Sequence, residues 1–148
     1  METTVKLHTQ EAENLIKNAI KALSDFTPAF KEIAKYQEGQ IQEAFNVAGK
    51  NILGASWPKL KASTLKEKLK SGFQTQILVR TGKLRESFSV VELTKDNLKI
   101  TSSGIKYFPT HQLGSNKVPQ RQILGHSQAM GKRALEIAQD EIIKQIKK

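Results

Sequence analysis

Ser87-Phe88-Ser89-Val90-Val91-Glu92-Leu93-Thr94-Lys95-Asp96-Asn97-Leu98-Lys99-Ile100-Thr101-Ser102 is the stretch on which the fold turns. Ser87–Leu93 is rich in β-branched and aromatic residues, Thr94–Asn97 is turn chemistry, and Leu98–Ser102 alternates apolar and polar side chains. That pattern predicts a β-hairpin closed by a four-residue loop. After Gly104, a third strand could run through Ile105–Phe108. From His111 to Gly125 the chain carries Gly114, Asn116, Pro119 and Gly125, which reads mostly as loop.

Everything outside this centre reads as helix or irregular chain. Upstream, Ala12, Leu15, Ile16, Ala19, Ile20 and Leu23 recur at spacings of three and four, one apolar stripe on a helix whose cap is expected at Thr9, with Glu11 and Glu13 at its positive end. Ser24–Pro28 interrupts the run, and Thr27 before Pro28 predicts a cap and a restart. The second stripe is Phe30, Ile33, Ala34, Gln37, Ile41, Ala44, Phe45, Ala48 and Ile52, weakened but not broken by Gly39. The two helices are expected to pair with each other. Between Lys59 and Arg85 a short helix is expected from Ser63 or Thr64 to Ser71-Gly72. Downstream, a final helix capped near Ser127 would bury Met130, Ala134, Leu135, Ala138, Ile142 and Ile146. The sum is α+β: two N-terminal helices and a C-terminal helix packed on a small antiparallel sheet. We read 1–148 as a single domain, with a helical pair in 1–53, a basic irregular segment in 54–85, and hairpin, loop and helix in 86–148. A sheet of two or three strands has open edges and is marginal alone, a first hint of an oligomer.

Composition narrows the function. With 148 residues the chain can bury roughly 70% of its unfolded surface, enough for a core without cross-links. Cysteine is absent, which removes disulfides, thiolate nucleophiles and Cys-containing zinc sites and suits a reducing compartment. Met1–Lys6 lacks a signal-peptide core, and no apolar run approaches the ~20 residues of a membrane span, so a soluble, unprocessed protein is expected. The charge is 24 basic minus 14 acidic residues, or +10. Most of the surplus sits in one place: Lys59, Lys61, Lys66, Lys68, Lys70, Arg80, Lys83 and Arg85 stand against Glu67 alone. Such a segment suits a phosphate backbone or an acidic partner, and equally a solvated face.

Catalytic signatures fail in turn. Thr81-Gly82-Lys83-Leu84 is not a phosphate loop, because Ile77 replaces its first glycine and Leu84 its Ser or Thr. His8, His111 and His126 match no metal-ligand spacing. His111, Arg121 and a lysine would serve a small nuclease, but any basic protein with a histidine meets that description. Aromatic platforms for single strands are missing from the basic segment, where Phe73 stands alone after Trp57.

Four landmarks then appear in order: Trp57-Pro58-Lys59-Leu60, Ile77 through Ser87 with its Thr81-Gly82-Lys83-Leu84 centre, Tyr107 through Gly114 containing His111-Gln112, and Val118 through Gly125 containing Pro119 and Arg121. From Trp57 to Lys148 the chain resembles the phage virion morphogenesis and tail-completion family. Phe108 stands where the family often has a small residue, and the Gly114–Pro119 spacer is short. The resemblance implies a structural protein, not an enzyme, that completes a phage tail and joins it to the DNA-filled head, commonly as a ring. It implies residence in the host cytoplasm during assembly and in the virion afterwards. Partners would be further copies of the chain, other tail or neck proteins and, non-specifically, packaged DNA. No cofactor, metal, membrane or small-molecule substrate is expected. Trp57, Thr81, Gly82, Leu84, Tyr107, His111, Gln112, Gly114, Pro119 and Arg121 would then be structural or interface residues. A non-specific nucleic-acid-binding protein is the alternative, ahead of a small basic nuclease.

Overall fold

A computed structural model describes residues 9–148. Its elements run α1 (Thr9–Ser24), α2 (Thr27–Asn46), α3 (Lys50–Leu53), α4 (Ala62–Lys70), α5 (Lys83–Glu86), β1 (Phe88–Leu93), β2 (Leu98–Ser102), α6 (Phe108–Leu113) and α7 (Gln128–Ile146). The fold is α+β, as the sequence predicts. Met1–Lys6 and His8 lie outside the described residues, as does the Thr9 side chain on which the expected cap depends.

The hairpin forms where expected. β1 and β2 pair antiparallel from Phe88↔Ser102 to Leu93↔Leu98, and Thr94 N–H donates to the Asn97 carbonyl at 2.8 Å to close the turn. The register slips between Val90 and Glu92, a bulge that leaves Val91 exposed. No third strand follows among the described residues. Gly104 turns the chain at φ 74°, and Pro109 in the first turn of α6 suits a helix rather than a ladder that needs its N–H.

Two expectations about the helices change. α1 packs on α7, and α2 packs on α7 and on the sheet, so the N-terminal helices are joined through the C-terminal one rather than forming a pair of their own. The side chain that α1 buries is Ala22, whereas Leu15, Ile16, Ile20 and Leu23 are all more than half exposed. The N-cap at the Pro28 restart is Phe26, one residue before the predicted Thr27; Asp25 Oδ1, two residues before it, accepts from Thr27 N–H at 2.9 Å, and Phe26 N–H donates to Lys95 O in the hairpin turn. At the other end Ser127 Oγ accepts from Met130 N–H at 3.2 Å, the predicted cap of α7.

The second stripe does not continue as one helix to Ile52. Ala48 (φ 51°) and Gly49 (φ 77°) adopt left-handed backbone and split α2 from α3. Trp57 is the reason. Its backbone N–H donates to Ala48 O at 2.6 Å, its indole Nε1 donates to Gln122 O at 2.8 Å, and the ring lies so close that a Cβ on Gly49 would sit 2.0 Å from Nε1. Trp57 thus ties the end of the helical half to the loop before α7. Around it the core collects Ile41, Phe45, Ile52, Val79, Leu84, Phe88, Ile123 and Met130. Edge-on ring contacts at 5.8 Å (Phe45–Trp57) and 5.4 Å (Phe88–Phe108), with a tilted one at 6.3 Å (Phe45–Phe88), link α2, the hairpin and α6.

Candidate functional site

The basic segment closes on itself around one buried lysine. α4 spans the predicted short helix, but its inward residue is Lys68, only 5% exposed, while Leu65 and Leu69 face out. Lys68 Nζ donates to the carbonyls of Gln76 (2.7 Å) and Val79 (2.6 Å), which pins the 76–79 loop under α4. Leu78, between them, is held at φ 61°, a conformation that non-glycine residues adopt at a cost. Burial, then the neighbouring Arg80, lowers the Lys68 pKa from its ordinary value. Lys68 is therefore withdrawn from any surface that meets DNA or a partner, contrary to its expected place among the exposed cations.

The other cations divide. Arg80 pairs with Glu67 at 2.7 Å and lies 4.5 Å from the Phe73 ring centre. Arg85 is half-buried and donates from Nε to Gln42 Oε1 at 2.9 Å, while Gln42 donates back to Arg85 O at 3.0 Å, which fastens α5 to α2. Lys59, Lys61, Lys66, Lys70 and Lys83 are exposed, and none of them forms an ion pair among the described residues.

The landmarks of the second half meet beside α4 in a cleft of about 390 Å³. Thr81, Gly82 and Leu84, Tyr107 and His111, and Arg121 all line it, together with Leu60 and Leu78. Gly82 (φ 83°) opens α5 and Leu84 anchors it in the core, while Thr81 stays exposed. Arg121 is nearly buried, and its Nε and Nη2 donate to the carbonyls of Pro58 (3.0 Å) and Lys59 (3.3 Å). Its fork therefore holds the Trp57–Leu60 landmark in place instead of gripping a phosphate. Gln112 bridges in the same way: Oε1 accepts from the N–H groups of Ile123 (2.9 Å) and Leu124 (3.0 Å), and Nε2 donates to Leu124 O at 2.5 Å. Gly114 (φ 77°) lets the chain double back, since a Cβ there would stand 3.0 Å from Gln120 N. Pro119 is exposed at the far end of that return.

His111 is half-buried against the edge of Tyr107, at 6.0 Å between ring centres, and its buried Nδ1 has no hydrogen-bond partner. Burial, then the Arg121 cation, holds its pKa below the ordinary 6.5. An unfolded chain takes up a proton near that pH that the folded one refuses, so this contribution to stability is complete above it and is lost as pH falls through it. Between about pH 7.5 and about pH 5 the wild type should lose more stability than His111→Gln. Equal losses in urea titrations at both pH values would refute the assignment.

The cleft thus has a largely apolar lining, and of its cations Lys68 and Arg121 serve backbone carbonyls, Arg80 pairs with Glu67, and Lys83 is exposed. Among the described residues no three His, Asp or Glu side chains converge as a metal-binding set. The sequence model of one family, described as the phage virion morphogenesis family, matches residues 7–142.

The chain belongs to the phage virion morphogenesis family. The match takes in α1 and α2, which carry none of the four landmarks, as well as everything from Trp57 to α7. This virion morphogenesis protein has a part in phage virion assembly. No curated protein and no solved structure matches it. Among its described residues, no helix is long and apolar enough to cross a membrane.

The reading of the sequence missed Gly49 and the inward turn of Lys68. A signal for Gly49 existed, since Gly49 and Gly54 bracket Lys50–Leu53 just ahead of Trp57. For Lys68 the signal misled, because Leu65 and Leu69 mark an apolar face of α4 that points outward.

Proposed function

We propose that this family member completes the phage tail and joins it to the DNA-filled head, as several copies closing head to tail into a ring. Membership in a virion morphogenesis family over residues 7–142 carries the reading. The exposed lysines Lys59, Lys61, Lys66, Lys70 and Lys83 support it, because scattered unpaired cations suit passing DNA or an acidic tail or neck protein and read no sequence. Tight base contacts would obstruct DNA on its way out; weak phosphate contacts let it slide.

Reversal of Lys66, Lys70 and Lys83 to glutamate tests the role of that surface. Lys68 is left intact because it supports the loop. The variant should keep the wild-type melting profile, since exposed changes of this kind alter stability by about 0.5 kcal/mol or less. Lysates of phage carrying it should show full heads separated from tails. A wild-type yield of infectious particles, with normal DNA delivery, would sink the proposal.

The same exposed lysines favour a second reading, a non-specific nucleic-acid-binding protein. It requires tight binding of the isolated chain to duplex DNA near physiological salt, falling steeply as salt rises.

A further inference from the structure

We propose that α1 of one copy docks in the α4–α5–α6 cleft of a second copy; this rests on the ring reading above and gives it its two faces. The observation is an apolar stripe that no other described residue covers. Leu15, Ile16, Ile20 and Leu23 are 58%, 57%, 63% and 58% exposed along a helix already fastened to α7 through its other side. Soluble surfaces scatter single apolar residues, whereas a contiguous row marks a contact.

Charge selects the occupant. Of the cations along the cleft, Lys68 and Arg121 are committed to backbone carbonyls and Arg80 to Glu67, which leaves Lys83 unpaired among the described residues, with Lys66 and Lys70 exposed on α4. The cleft calls for an acidic group on an apolar body. The first half of α1 has that chemistry: Glu11 and Glu13 precede Leu15 and Ile16, and no basic residue appears in the helix before Lys17. Leu60, Leu78 and Tyr107 offer the matching apolar surface. Outside the cleft, α4 also exposes Leu65 and Leu69, next in sequence to Lys66 and Lys70.

Self-pairing of α1 fits less well. The stripe from Leu15 to Leu23 is centred on Ala19, so an antiparallel pair laid along it would set Lys17 of each copy towards Lys21 of the other. Like charges on one flank of a helix pair repel. A cleft contact is one between unlike surfaces, and such a contact propagates from copy to copy.

The test is sedimentation of the purified full chain over a range of concentrations. Wild type should grow beyond dimers. Leu15→Gln/Ile16→Gln/Ile20→Gln removes the stripe without adding charge, and Lys83→Glu/Tyr107→Gln alters exposed cleft residues. Each should weaken association by on the order of a hundredfold while keeping its melting transition. An equimolar mixture of the two should form one-to-one dimers and nothing larger, since one intact stripe and one intact cleft remain between them. A cleft variant that assembles like wild type would mean that α1 pairs with itself and would overturn the proposal. So would a mixture that stays monomeric, or a wild type that never associates. Failure of the tail role reads out separately: lysates of phage lacking the gene would then show normal infectious particles whatever the sedimentation result.

Discussion

Gly49→Ala is expected to destabilise the protein by about 3–5 kcal/mol, several times the cost of Gly54→Ala. Both glycines stand at φ 77°, so both substitutions force a side chain into left-handed backbone, which costs about 1 kcal/mol. They differ in what the new methyl group meets. Nothing lies within 4 Å of it at Gly54, whereas at Gly49 three indole atoms lie 2.0–2.5 Å away. Trp57 is 3% exposed, stacked edge-on against Phe45 and bonded to Gln122 O, so its ring cannot swing aside without opening the core. The cost therefore approaches that of losing a packed aromatic side chain. Urea denaturation of the two variants beside wild type is the measurement. Similar losses for Gly49→Ala and Gly54→Ala would show that the ring yields cheaply and that the α2–α3 break does not depend on it.

Lys68→Met should cost about 2–4 kcal/mol, although it replaces a buried charge with an apolar chain of similar length. The ammonium donates to Gln76 O and Val79 O, and a thioether leaves Val79 O without that partner and Gln76 O with only the 3.3 Å bond from Val79 N–H. A carbonyl left unsatisfied out of water costs about 1–3 kcal/mol. The loop would lose its tie to α4, and with it the hold on Leu78 at φ 61°. Faster amide exchange should follow from Val79 to Gly82, centred on the cleft wall. Lys66→Met, on the exposed side of the same helix, should change stability by no more than about 0.5 kcal/mol. If the two lysine variants melt alike, Lys68 is not the support of the cleft.

Both predictions concern residues whose meaning was not open to inspection in the chain. Where a signal is local, the residues alone sufficed. The hairpin from Phe88 to Ser102 follows from the β-branched and aromatic residues of Ser87–Leu93 and the alternation of Leu98–Ser102, broken by Thr94–Asn97, and the phosphate-loop and metal-ligand motifs fail on spacing. The cap at Ser127 and the stop at Ser71-Gly72 depend on side chains and turns within a few residues of each other. The landmarks from Trp57 to Gly125 are short local strings too, which is why the family was legible before the fold.

What periodicity reports is that a helix has an apolar face, not which face the rest of the chain covers. On α1 the stripe is real but uncovered, because α7 lies along the side that carries Ala22. On α4 the apparent apolar face is likewise outside, and a lysine fills the interior because two loop carbonyls eleven or fewer residues away need its protons. The third strand failed for a similar reason, since the length from Ile105 to Phe108 suits either a strand or the approach to a helix, and Pro109 decides it only once β1 and β2 have placed the chain.

The sequence by itself determined the α+β class, the hairpin, the principal helices, the basic segment and the family. Tertiary structure alone decided the split of α2 from α3 under Trp57, the burial of Lys68, and the gathering of Thr81, Tyr107, His111 and Arg121 around one cleft. The division follows from the reach of the forces. Caps, turns and periodicity act over a few residues, whereas the Trp57–Gln122 and Arg121–Pro58 bonds join positions 65 and 63 residues apart and exist only once the chain has folded.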